Sequence, residues 1–164
     1  MKLFIIGIII CIIAAYAYCY FIFPDNISIL QSSINTFDFN LLYKRQPLVI
    51  DDAIADIDSL LKLWFTPNII QTDITIDSKT IWSLNCYKYC YIHALNDTEV
   101  MLCSATSKVT DDIADNNEPV IAIPIKTAQG IIIPYRWHYN IKNNTDVKLY
   151  GIHDYMTYIL DILI

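Results

Sequence analysis

Glycine is nearly missing from this sequence, with three in 164 residues. Gly7, Gly130 and Gly151 cannot build a phosphate-cradling loop or a dinucleotide fingerprint, which need clustered glycines where backbone must approach a ligand. A G-x-S-x-G nucleophile elbow and an H-E-x-x-H helix are absent too. Positive charge is equally short. Eleven Lys and Arg stand against 17 Asp and Glu, for a formal net charge of −6. Beyond Phe23 the balance is 10 basic against 17 acidic residues, or −7, so no basic face exists to neutralise phosphates and no nucleic-acid partner is expected. Histidine is confined to His93, His138 and His153, none in metal-ligand spacing, and neither H-x-D nor H-x-E occurs. The five cysteines are an odd set: Cys11 and Cys19 lie in an apolar run, and Cys86, Cys90 and Cys103 lie outside it. C-x3-C with one distant partner lacks a fourth zinc ligand and reads as strand-buried thiols, or as one disulfide plus a free thiol in a lumenal compartment. No catalytic, cofactor-binding or metal-ligating residue is assigned, and no cofactor.

What the chain has in quantity is apolar sequence at its start. Leu3 to Phe23 carries no charge, and about 20 such residues suffice for a helix to cross roughly 30 Å of hydrocarbon. Lys2 supplies a positive flank, and Tyr18, Tyr20, Phe21 and Phe23 form an aromatic belt at the far end. The expectation is a single-pass anchor over 1–23 in the lipid bilayer, with the N-terminus cytoplasmic, a spacer over 24–44, and a β-rich domain over 45–164 on the opposite side. Two alternatives stand beside it. Ala15-Tyr16-Ala17 has the small-x-small pattern of a signal-peptidase site, and cleavage after Ala17 would release a secreted or lumenal recognition domain. The run could also be a buried core helix. Sequons at Asn26, Asn96 and Asn143 are compatible with lumenal exposure.

Past the polar stretch from Asn26 to Asn40, Pro47-Leu48-Val49-Ile50 is a short β-type run. Asp51-Asp52 then caps an expected helix whose apolar positions Ile54, Ile57, Leu60, Leu61, Trp64 and Phe65 recur at helical spacing, closed by Thr66-Pro67. The acids Asp51, Asp52, Asp56 and Asp58 read as a dipole-matched solvated face rather than a catalytic pair. From Asn68 the pattern changes to β-branched and aromatic alternation. Eight strands are predicted: 69–76, 80–84, 88–95, 99–105, 120–126, 130–134, 137–141 and 147–152, with a tight hairpin at Asn96-Asp97 and turns at Asp115-Asn116-Asn117 and Asn143-Asn144. A capping Asp154 opens a C-terminal helix to Ile164. The fold class is mainly β (α+β), a barrel or jelly roll with a helix near its start and another at its end.

Gln46-Pro47-Leu48-Val49-Ile50 before an amphipathic helix, and a β region ending in Pro134-Tyr135-Arg136-Trp137-His138-Tyr139, resemble the cupin-like, JmjC-type jelly roll. Active members of that family are iron(II)- and 2-oxoglutarate-dependent oxygenases using two His and a carboxylate, which leave three open iron positions. The resemblance places the family's distal His at Tyr139; His138 is one residue short, and a one-residue shift on a strand faces the other way. Its H-x-D/E motif falls near Ser83-Leu84-Asn85, which offers no imidazole or carboxylate. The resemblance therefore implies a degenerate, non-enzymatic domain that works by binding. Its pocket would be lined by Trp82, Tyr135, Trp137, His138 and Tyr139. An anchor joined to such a domain also resembles virion membrane and minor capsid proteins of nucleocytoplasmic large DNA viruses, implying a structural role between membrane and capsid proteins. An oxygenase with a non-standard metal site is the enzymatic alternative.

Overall fold

The structure, a computed structural model, describes residues 2–20, 22–24, 26–52, 57–72, 74, 82–107, 109–110, 113–114, 120–142 and 147–163. Helix α1 (Lys2–Tyr20) leads into β1 (Leu30–Ser33), two 3-10 turns (Ile34–Thr36 and Phe39–Lys44), β2 (Leu48–Asp51), α2 (Ile57–Phe65) and β3 (Ile69–Thr72). There follow β4 (Ser83–Leu84), β5 (Tyr89–Ala94), β6 (Thr98–Cys103), the short pair β7 (Val109–Thr110) and β8 (Ile113–Ala114), then β9 (Ile121–Ile125). The chain closes with β10 (Gly130–Pro134), β11 (His138–Ile141), β12 (Val147–His153) and α3 (Tyr155–Leu163).

Strand pairing defines the architecture. Leaving aside β1, β2 and the small β7–β8 ribbon, the first strand pairs the last and the series continues inward: β3 with β12, β4 with β11, β5 with β10, β6 with β9. All four pairings are antiparallel, as in one long hairpin rolled up, which is the jelly-roll arrangement found in cupins. Pairings β5–β12 and β6–β11 complete two sheets, ordered β1-β2-β10-β5-β12-β3 and β4-β11-β6-β9. The described chain is thus mostly β, with two sheets and few helices, as the sequence predicts.

The inner faces meet through one apolar cluster that includes Cys90, Ile92, Leu102, Ile123, Ile131, Ile133, Trp137 and Tyr139. The larger sheet is covered on its other face as well. There Leu48, Ile50, Tyr89, Tyr91, Ile132 and Ile152 pack with Ile57, Leu61 and Phe65 of α2. Two covered faces explain why β10 is buried at every position and reads as an unbroken apolar run rather than an alternation.

Several boundaries differ from expectation. The stretch 24–44, expected as a spacer, contributes β1, which pairs parallel with β2, and both 3-10 turns, where Phe37 stacks on Trp64 at 4.1 Å. Asp51, expected as a cap, stands at no helix start among the described residues. It ends β2 and accepts from Gln31 Nε2 at 2.7 Å and Gln129 Nε2 at 2.6 Å, which ties a strand to the turn after β9, while Asp52 has a φ of 58°. Residues 53–56, 75–81, 115–117 and 143–146 lie outside the described residues, and with them Ile54, Asp56, the ends of two expected strands, two expected turns and the sequon at Asn143. Asn26 and Asn96 are exposed, and Asp154 caps α3 as predicted, accepting from Thr157 N at 2.9 Å.

Helix α1 is apolar on all sides. Its 19 residues rise about 28 Å, and each described side chain from Phe4 to Tyr16 is exposed. Among the described residues no helix is long and apolar enough to cross a membrane. Toward the C-terminal end of α1, Tyr16 donates to Asp154 Oδ2 at 3.3 Å.

Candidate functional site

The five residues expected to line a pocket separate in space. Trp137 and Tyr139 lie in the core cluster between the sheets, and both are buried. The Tyr139 hydroxyl shares a hydrogen bond with the Cys90 thiol; burial pushes the tyrosine far up and raises the thiol to about 12. His138, the next position on β11, is half-buried on the opposite face. Burial lowers its pKa against a bond to the Ser104 backbone, and Arg136 lowers it further. Trp82 is half-buried just before β4. Tyr135 lines a cleft of its own, described below.

The two segments expected from the sequence resemblance to correspond to ligand positions lie side by side. β4 pairs β11, setting Leu84 opposite His138 and Ser83 opposite Tyr139. The residues found there do not fit an iron(II) site. Asn85 is 1% exposed, and its Nδ2 donates to the carbonyls of Ile133 and Pro134 at 2.9 and 2.8 Å, while its Oδ1 accepts from Tyr87 N at 3.0 Å. That side chain fastens the turn after β4 onto the end of β10. Tyr139 faces the core with a protonated phenol, and the nearby imidazole of His138 faces away. Among the described residues no group of three His, Cys, Asp or Glu side chains could hold a metal ion. Cys86, Cys90 and Cys103 carry thiols rather than a disulfide, the last two buried in strands.

A cleft of about 170 Å³ opens where α1 meets the sandwich, lined by Tyr16, Phe23, Leu42, Arg45, Lys88 and Tyr89 with Tyr43, Pro134 and Tyr135. Three local features build it. Arg45 takes a left-handed conformation, φ 53°, closing the second 3-10 turn with its N–H on Leu42 O, and its Nη1 donates to Ile22 O at 2.6 Å. Lys88 enters β5 and faces Asp154 Oδ2 at 3.2 Å, the same oxygen that Tyr16 meets. The Tyr89 phenol forms part of the wall; burial pushes it up to about 12, with Arg45 acting in the opposite sense. The cleft therefore combines apolar walls with a guanidinium and an ammonium, and one carboxylate beside them. Arg45 and Lys88 escape a sequence reading because they lie 43 positions apart and share no motif. The turn closed by Arg45 and the pairing of β2 and β5 with β10 bring them together.

No family model matches the chain, and no curated protein matches it by sequence. Among solved structures it is similar to SnoN, a non-heme alpha ketoglutarate dependent epimerase from nogalamycin biosynthesis, with a TM-score of 0.30 and 13% identity over 52% of this chain and 40% of that one. It is also similar to RmlC from Streptococcus suis, solved in complex with dTDP-D-xylose, with a TM-score of 0.29 and 13% identity over 60% and 48%. The chain spans less than half the length of either. Likenesses this distant carry no argument, and the jelly-roll assignment stands on the strand pairing itself.

Proposed function

We propose that this chain is a membrane-anchored interaction protein, in which α1 holds the jelly roll at a bilayer and the domain works by contact rather than by oxygenation. The observation that supports it most is α1: side chains from Phe4 to Tyr16 are apolar or small apart from Tyr16 itself, and all are exposed. A helix apolar all round needs a surrounding apolar phase, and the sequence continues the uncharged run to Phe23. Retention rather than cleavage after Ala17 is supported by contacts on both sides of that position, Tyr16 to Asp154 and Ile22 O to Arg45. The non-enzymatic part is supported by Ser83, Asn85 and Tyr139 at the positions where the oxygenase family carries its ligands. The finer reading makes it a viral minor structural protein linking an internal membrane to a capsid shell. It is supported by sequence resemblance alone, and co-purification with particles in a detergent-sensitive layer tests it. For the oxygenase alternative, the full chain in detergent is titrated with iron(II) and supplied with 2-oxoglutarate and oxygen. The expected outcome is no stoichiometric iron and no succinate; one iron per chain with turnover would overturn the non-enzymatic reading.

A further inference from the structure

We infer that the cleft between α1 and the sandwich binds the phosphate of a membrane phospholipid, seating the domain on the bilayer from which α1 emerges. The inference rests on the anchor reading. If α1 spans, the bilayer surface lies near the aromatic belt that ends at Phe23, and Phe23 lines the cleft, with Tyr16 two turns before it. Two cations in an otherwise acidic chain, net −6, converge there: Arg45, whose planar guanidinium suits phosphate oxygens, and Lys88, whose ammonium has three protons to share between Asp154 and a ligand. Leu42, Tyr89 and Pro134 supply apolar wall for the glycerol and first methylenes. A volume of about 170 Å³ is below that of sites for drug-sized ligands and accepts a headgroup phosphate rather than a folded peptide. The lining includes Tyr43, 80% exposed; rings with polar tips are the side chains that settle at a headgroup layer.

Native mass spectrometry of the full chain in detergent provides the test, using phosphatidylglycerol, a digalactosyl diacylglycerol with the same acyl chains, and inorganic phosphate. The wild-type chain is expected to retain one phosphatidylglycerol and to bind the phosphate-free lipid about tenfold more weakly, a difference of about 1.4 kcal/mol. Arg45→Gln combined with Lys88→Gln is expected to bring phosphatidylglycerol down to that lower level in a chain that still unfolds cooperatively. Equal retention of the two lipids by the wild-type chain overturns the inference whether or not the variant folds. Saturation by inorganic phosphate alone, or undiminished binding by the folded variant, overturns it as well. Release of the chain from membranes by alkaline carbonate would instead remove the anchor reading beneath it, so the two failures are distinguishable.

Discussion

At Gly130 the missing side chain lets the Tyr91 ring lie across β10: a Cβ there would overlap the phenol of Tyr91, which is 1% exposed and has no room to swing out. Gly130→Ala is expected to cost about 1–3 kcal/mol through overpacking, read as a lower urea midpoint at unchanged slope. Combined with Tyr91→Ala, the two losses should sum to less than their separate values, since the clash is shared. His93 and His138 predict a pH dependence. Burial lowers both below the ordinary 6.5, reinforced by Lys148 at His93 and by Arg136 at His138, the latter opposed by a bond to Ser104. The unfolded chain then binds the proton more tightly than the fold does. Their contribution is whole above about pH 6.5 and is lost as pH falls below it. The thermal midpoint should drop between about pH 7 and about pH 5.5, and His93→Gln with His138→Gln should flatten that drop; an unaltered slope would assign it elsewhere.

Among the elements, strands with cross-strand apolar partners were the legible ones. Gly130–Pro134 agrees at both ends with the predicted strand, and β5, β6, β9, β11 and β12 agree to within two residues, because β-branched runs between turn residues leave few alternatives. β1, Leu-Gln-Ser-Ser, was illegible for a physical reason: it lies at the sheet edge and carries no alternation, so only its parallel pairing with β2 makes it a strand. The end of β2 was misread because Asp51 has the chemistry of a cap but meets Gln31 and Gln129. The core positions were visible while the pocket was not. Trp137 and Tyr139 look like pocket residues in a linear reading, and facing sheets turn them into filling. For α1 the decisive variant is Ile9→Asp, at a position 50% exposed. An acidic residue near the middle of a span costs about 2.5–3.5 kcal/mol on insertion. It should lower the inserted fraction sharply, as measured by alkylation of an engineered lumenal cysteine, and leave the jelly-roll midpoint within about 0.5 kcal/mol. An unaffected inserted fraction would mean that α1 is not in lipid.

For the whole molecule, the jelly roll and its attachment rest on different features. The jelly roll follows from strand pairing and would survive loss of the anchor; the proposed attachment rests on an apolar helix with exposed side chains from Phe4 to Tyr16 and would survive reassignment of the domain. What joins them is the contact region around Tyr16, Arg45, Lys88 and Asp154. Asp154 serves there twice, capping α3 through Thr157 and facing Lys88 beside α1. Asp154→Ala is expected to cost about 1–3 kcal/mol through the lost cap and the uncompensated cation. Asp154→Asn, which keeps the cap acceptor, should cost less; equal losses would assign the effect to the ion pair.

The most direct measurement is alkaline carbonate extraction of membranes carrying the full chain, followed by intact-mass determination of what stays behind. The account predicts that the protein remains in the pellet until detergent is added and has the mass of a chain retaining residues 1–17. Recovery in the carbonate supernatant, or a mature mass beginning at Tyr18, would contradict it.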